Sequence, residues 1–127
     1  MAEAGLCPTW RSKLIAVLFE VRIAEGRKPD YLQVAAELLP LLQQVDGFIS
    51  VERFQSLSDP DKLLSLSFFS DEQAVATWRA LAEHRAGQDS GRGGIFADYR
   101  LRVASVIRDY GMEDRDQAPK DSRDSHG

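Results

Sequence analysis

The stretch of sequence that decides the fold is residues 95–110, which read IFADYRLRVASVIRDY. Its side chains alternate between two faces, with Ala97, Tyr99, Leu101 and Val103 on one and Phe96, Asp98, Arg100 and Arg102 on the other. This period of two predicts a β-strand that is half buried on each side. Because strands usually contain five or six residues, we expect this long strand to extend beyond its own sheet, toward a partner subunit or over a pocket.

The first half of the chain predicts two strands separated by a helix. Residues 14–23 (LIAVLFEVRI) form a nearly continuous apolar run with β-branched residues, typical of a central strand. Between Pro29 and Val45 the apolar residues recur at helical spacing, and Pro40 is expected to kink or loosen that helix. Residues 48–57 then form a second predicted strand.

The second half predicts a hairpin strand and another helix before residue 95. Residues 62–69 (KLLSLSFF) alternate, and the face that carries Ser65 and Ser67 could line a cavity or a sheet-to-sheet contact. Ser70 followed by Gln73 is a capping-box pattern for a helix over about residues 71–86. A glycine-rich loop connects this helix to the long strand.

The resulting element order is βαββαβ, which predicts a ferredoxin-like α+β fold. In that fold a four-stranded antiparallel sheet carries both helices on one face. The helix-free face would expose Leu18, Phe48, Phe54 and Phe69, an apolar patch too large to face water. A second copy of the chain would cover it, so we expect a symmetric homodimer.

Composition places the chain among single-domain globular proteins. Residues 13–110 form the predicted domain, residues 1–12 a flexible leader and residues 111–127 a charged tail, disordered or draped on the partner subunit. The net charge of −4 gives no general attraction to nucleic acid or to an anionic membrane, and no apolar run approaches the length of a membrane span. A single cysteine, Cys7, cannot form an internal disulfide, so a cytoplasmic location is expected.

Several segments together resemble the antibiotic biosynthesis monooxygenase family. They are the first strand, Asp46-Gly47-Phe48, the hairpin, residues 68–78 (FFSDEQAVATW) and His84-Arg85, so the resemblance covers roughly residues 13–109. It implies a dimeric α+β barrel and a choice among cofactor-free monooxygenases of aromatic polyketides and quinols, haem-degrading enzymes and an isomerase. Family membership alone does not select among these activities.

The chain departs from the family pattern at two positions that haem-degrading members use. Haem-degrading members use an asparagine and a tryptophan in the pocket. Trp78 matches the tryptophan, but this chain contains no asparagine, and the asparagine position falls on Phe19. The position of the haem-ligating histidine falls on Gln88, four residues after His84. We therefore expect no cofactor, with haem as the alternative.

Two residues of the second helix are candidates for a pocket. Trp78 is a core anchor of that helix, a surface on which an aromatic substrate stacks, or both. His84 is the histidine that precedes the charged tail, and histidine is the usual group for proton transfer near neutral pH. Its alternative role is a favourable interaction with the C-terminal end of the helix dipole. One histidine without nearby cysteines cannot supply a zinc site, so no metal is expected.

Arginines and a tyrosine near the last strand complete the candidate set. Tyr99 is expected on the helix side, where it would touch a ligand held under Trp78. Arg100 and Arg102 would either form ion pairs with Glu20 or Glu52 or stabilise an enolate or phenolate. Arg92 lies in a glycine loop that lacks the phosphate-loop pattern, so we interpret the loop as a lid or hinge in which Arg92 could meet an acidic ligand.

These residues favour a cofactor-independent monooxygenase for a small aromatic or enolisable substrate. In that mechanism His84 is the base, Trp78 and Phe19 form the wall, and Tyr99 with an arginine stabilises the anion. The alternatives are a haem-binding or haem-degrading protein and a non-catalytic dimer that binds a small ligand.

Overall fold

A computed structural model describes residues 14–88 and 94–121 of the protein, apart from the side chains of residues 82–88. The predicted leader, residues 1–12, lies outside this description, as does Arg92. The elements are β1 (Ile15–Ile23), α1 (Lys28–Gln43), β2 (Phe48–Gln55), β3 (Lys62–Phe69), α2 (Glu72–Gln88) and β4 (Phe96–Ser105).

The sheet has the strand order β2-β3-β1-β4, and neighbouring strands are antiparallel. This topology confirms the predicted ferredoxin-like α+β fold. No helix in the described ranges is long and apolar enough to cross a membrane.

Two clusters of buried apolar side chains hold the helices on the sheet. One contains Val17, Leu42, Val45, Phe69 and Ala74. The other contains Val21, Ile23, Tyr31, Leu63 and Ile95. Both clusters combine residues of β1 and β3 with residues of α1, which identifies the face of the sheet that the helices cover.

The starts of both helices follow from local chemistry. Pro29 lies in the first turn of α1, where its missing N–H removes no helical hydrogen bond. Helix α1 then continues through Pro40 to Gln43. The backbone N–H of Ala74 donates a 2.8 Å hydrogen bond to Asp71 Oδ1, so Asp71, rather than the predicted Ser70, caps α2.

Two phenylalanines lie on the face opposite to the one predicted. Phe69 pairs with Ile15 on β1 and with Phe48 on β2, and it is completely buried among residues of both helices. The expectation that Phe48 and Phe69 lie on the helix-free face is therefore wrong. For Phe48 the cause is a register irregularity between Phe48 and Ser50, which reverses the alternation of β2 at that point.

Strand β4 is shorter and less regular than predicted. It contains 10 residues instead of about sixteen. Just after its end, Val106 N donates a hydrogen bond to Leu14 O, the residue before β1. A register shift next to Arg22 also moves Phe96 to the face of Tyr99, where the two ring centroids lie 6.1 Å apart. The prediction that these two side chains occupy opposite faces is wrong.

The described part of the charged tail contains local turns. The backbone N–H of Asp109 donates to Gln117 Oε1 at 2.8 Å, and Gly111 N donates to Asp114 O at 2.8 Å. Arg115 Nη1 donates a hydrogen bond to the carbonyl oxygen of Gly111. Draping of this tail over a partner subunit stays a prediction.

Candidate functional site

A cavity of about 250 Å³ lies between the helices and the sheet. Most of its wall is aliphatic or aromatic, as is usual for sites that bind small organic ligands. Its lining residues are Val17, Phe19, Tyr31, Val34, Ala35, Leu38, Leu39, Leu42, Val51, Arg53, Ser65, Ser67, Trp78, Ile95 and Phe96.

Trp78 packs against the core and also lines the cavity, and its stacking on an aromatic substrate stays a prediction. Its ring centroid lies 6.4 Å from that of Phe69, so the indole packs against the buried core. The same side chain is half-buried and lines the cavity. Helix α2 therefore contributes an aromatic wall whose position is fixed by its contact with the sheet.

Phe19 also lines the cavity, as part of a group of aromatic rings. Its ring centroid lies 5.6 Å from Phe96 and 5.6 Å from Tyr99. Tyr31 meets Phe96 at 5.9 Å. Tyr99 itself is 61% exposed and is not part of the lining, so it supports Phe19 and Phe96 from outside the cavity.

Besides the Tyr31 hydroxyl and the Trp78 indole N–H, the polar members of the lining are Arg53, Ser65 and Ser67. Arg53 is half-buried on β2, and its Nε atom is buried without a hydrogen-bond partner. The serines fulfil the expectation that their face of β3 could line a cavity. Arg53 was not among the predicted site residues. It lies two residues after Val51 on β2, and residues two apart on a strand share one face.

The other predicted arginines lie elsewhere. Arg100 pairs with Glu20 in the β1–β4 register, on the helix-free face and away from the cavity. Arg102 Nη1 donates a 2.7 Å hydrogen bond to Glu20 Oε2, which confirms the ion pair considered for it. Arg92 lies outside the described residues.

His84 lies in α2, six residues after Trp78, and its side chain lies outside the described part of the structure. Among the described side chains no group of three or more histidine, cysteine or acidic residues could hold a metal ion. The described residues form a largely apolar cavity with aromatic walls and a few hydrogen-bonding side chains. It can enclose a small apolar molecule and orient it by a few hydrogen bonds.

The family model "Antibiotic biosynthesis monooxygenase" matches residues 14–90. A jasmonate monooxygenase of Pyricularia oryzae is 44% identical over 93 residues, which cover 73% of this chain and 43% of that protein. The uncharacterised protein YqjZ of Bacillus subtilis is 30% identical over 94 residues, covering 73% of this chain and 79% of that protein.

Solved structures share the fold at low sequence identity. A protein from Shewanella oneidensis superposes with a TM-score of 0.65 at 16% identity, over 75% of this chain and 92% of its own. A Nitrosomonas europaea protein assigned to the antibiotic biosynthesis monooxygenases superposes with a TM-score of 0.66 at 10% identity. The superposition covers 79% of this chain and 96% of that protein. The family match spans most of the sheet and both helices, including every cavity residue except Ile95 and Phe96. The chain belongs to the antibiotic biosynthesis monooxygenase family.

Proposed function

We propose that the protein is a monooxygenase of this family that oxidises a small enolisable or aromatic molecule in the cavity under Trp78. The proposal rests on a largely apolar cavity walled by Trp78 and Phe19, in a chain that is 44% identical over 93 residues to a jasmonate monooxygenase. The aligned region spans less than half of that relative, so its substrate is a starting point for a search.

Jasmonate has the features that such a cavity would accept. It combines a ketone with acidic α-hydrogens, an apolar side chain and a carboxylate. The apolar portion suits the aliphatic lining from α1, and the hydroxyl of Ser67 can donate a hydrogen bond to a ketone oxygen or to the enolate formed from it. Enolisable aromatic ketones such as anthrone form the second class to test.

Oxygen chemistry without a cofactor requires a substrate that supplies all the electrons. Conversion of an activated CH₂ group to a carbonyl by O₂ balances in this way, because one oxygen atom enters the product and the other leaves as water. Removal of the first proton yields a carbanion that can donate an electron to O₂. We assign that proton transfer to His84, which α2 carries beyond Trp78.

We propose that this chemistry proceeds without haem. The described lining contains no histidine, cysteine or methionine, and Tyr31 is its one side chain of a type that ligates haem iron. The family resemblance implies that Phe19 stands where haem-degrading members have an asparagine. Titration with haem tests this: the absence of a Soret shift is expected, and a saturable shift would favour the haem-binding alternative.

We also propose that the active form is a cytoplasmic homodimer. Leu18, Leu64, Leu66 and Phe68 share the helix-free face and remain half-buried in the single chain, while Phe54 on that face is 44% exposed. Covering such a side chain stabilises an interface by about 1.5–3 kcal/mol if its burial becomes complete. A second copy of the chain is the occupant that supplies the same apolar surface in return.

Oxygen consumption tests the proposed reaction. Jasmonate and anthrone are incubated with the purified protein in air and under anaerobic conditions, and products are analysed by mass spectrometry with ¹⁸O₂. We expect one labelled oxygen atom in the product and no reaction without O₂. Trp78→Ala should lower turnover, whereas Leu57→Ala, at a fully exposed position outside the cavity, should not. Ligand binding without oxygen uptake would favour the non-catalytic alternative.

A further inference from the structure

Arg53 presents a charged group to a largely apolar cavity. Its Nε atom is buried and has no hydrogen-bond partner. No ion pair between described residues involves Arg53. A buried donor without a partner destabilises a protein unless something else supplies the acceptor. Because Arg53 lines the cavity, a ligand bound there can supply the acceptor.

The sheet register places a hydroxyl next to this guanidinium. Arg53 on β2 pairs with Ser65 on β3, and Ser65 pairs with Phe19 on β1. Directly paired residues of an antiparallel sheet point to the same side, with Cβ atoms about 4.5–5.5 Å apart. Arg53, Ser65 and Phe19 thus form one row across the cavity wall, with two donor side chains at the β2 end and an aromatic ring at the β1 end.

We propose that Arg53, assisted by Ser65, binds the carboxylate of a substrate whose remaining body is apolar. A guanidinium presents planar N–H groups that match the two oxygens of a carboxylate, and the pair is strong where water is excluded. The apolar body then lies along the row toward Phe19 and Trp78. This inference rests on the proposed function only in taking the cavity as the substrate site.

The charge of the cavity favours a monoanion. Arg53 is the single cationic side chain in the described lining, and no acidic side chain lines it with Arg53. A carboxylate neutralises that charge, whereas a phosphate dianion would bring a second negative charge into an apolar enclosure, which is unfavourable. The expected substrates are therefore small apolar carboxylic acids rather than phosphorylated compounds.

Calorimetric titration with two acids and their esters tests this without turnover. The probes are jasmonate and octanoate, each compared with its methyl ester, under anaerobic conditions. The ester lacks the negative charge that Arg53 would bind. Because a hydrogen bond to a charged group adds to the free energy of binding, we expect each acid to bind the wild-type protein about 10- to 100-fold more tightly than its ester. Arg53→Met should remove that preference by weakening the acids and leaving the esters within about threefold.

Two further variants test the carboxylate site if circular dichroism shows that Arg53→Met folds poorly. Arg53→Lys retains the charge but loses the planar pair of donors, so acid binding should lie between wild type and Arg53→Met. Ser65→Ala should weaken acid binding about fivefold, as for one neutral hydrogen bond. Arg108→Met, at an exposed position beyond β4 that does not line the cavity, is the matched control and should bind both acids normally.

The possible results separate this inference from the proposed reaction. Acids that bind through Arg53 but are never oxidised would support the carboxylate site and contradict the monooxygenase. Turnover of neutral substrates, with acids binding no better than esters, would overturn the carboxylate site alone. Acids that bind neither wild type nor variant, or that bind Arg53→Lys and Ser65→Ala as tightly as wild type, would also overturn it.

Discussion

Phe48 and Phe69 pair directly across β2 and β3, with ring centroids 5.8 Å apart, on the face of the sheet that the helices cover. Phe69 also meets Trp78 at 6.4 Å. The wall of the cavity is thereby connected to the most deeply buried ring of the core, since Phe69 has no solvent exposure. Core packing and cavity shape consequently depend on the same contact.

Replacing Phe69 by alanine tests this arrangement. Removing a fully buried phenylalanine leaves a cavity, and we expect the free energy of unfolding to fall by about 3–5 kcal/mol. Urea denaturation followed by circular dichroism measures the change. Leu57→Ala, at a fully exposed position, should change it by less than about 0.5 kcal/mol. A loss below about 1 kcal/mol for Phe69→Ala would mean that Phe69 is not a core residue.

Element order was predictable because the hydrophobic period changes clearly along the chain. Residues 62–69 alternate with a period of two, and the predicted bounds of β3 are those observed. Helix α1 follows from its apolar spacing and Pro29. The period of two along a strand does not reveal where its register shifts, however. The shift between Phe48 and Ser50 places Phe48 on the face opposite to the one that the alternation predicts.

The site was predicted less completely for the same reason. Trp78 and Phe19 line the cavity as expected, because their positions depend on helix and strand periodicity alone. Phe96 was assigned to the wrong face, because its position depends on a register shift near Arg22 that leaves no local signal. Arg53 was overlooked because a charged residue on an edge strand is usually interpreted as solvent-exposed.

Gly47 offers a test of the connection that joins α1 to β2. Its φ of +96° lies in a region that other residues rarely adopt, and an added Cβ would lie 2.6 Å from Ser70 Oγ and 2.9 Å from Ala74 Cβ. We expect Gly47→Ala to destabilise the fold by about 2–4 kcal/mol, from backbone strain and overpacking together. Thermal and urea unfolding measure the loss.

Gly26 and Gly111 are matched controls for this substitution. Gly26 has a φ of +76° and nothing within 4 Å of an added Cβ, so Gly26→Ala should cost about 1–2 kcal/mol from backbone strain alone. Gly111 has an open environment and no positive φ, so its substitution should be nearly neutral. Equal losses at Gly26 and Gly47 would show that the contacts with Ser70 and Ala74 do not matter.

Phe54 tests the proposed homodimer. It lies opposite Leu64 on the helix-free face and is 44% exposed in the single chain. A carboxylate there would be unfavourable in an apolar interface, so Phe54→Asp should yield monomer or aggregate, with lower stability. Size-exclusion chromatography with light scattering gives the mass, and Leu57→Asp serves as the control outside the sheet. A well-folded Phe54→Asp dimer would exclude this face as the interface.

His84 is the last residue to test, because the proposed chemistry needs a base and α2 carries this histidine six residues beyond Trp78. We expect His84→Ala to lower turnover of the oxidised substrate by about 10²–10⁴-fold, the usual effect of removing a general base. Stability should change little, since a histidine near a helix C-terminus contributes about 0.3–1 kcal/mol.

Measuring melting temperature and turnover on the same preparation separates the two roles of His84. A structural role predicts lower stability with turnover intact, whereas a catalytic role predicts the reverse. His126→Ala, the same substitution in the charged tail, controls for loss of a histidine as such. Binding of the substrate to His84→Ala should stay close to wild type, because the base acts on the proton and not on the anchoring group. Turnover within about threefold of wild type, well short of the general-base range, would remove His84 from the mechanism and leave Trp78 and Phe19 as walls of a binding cavity.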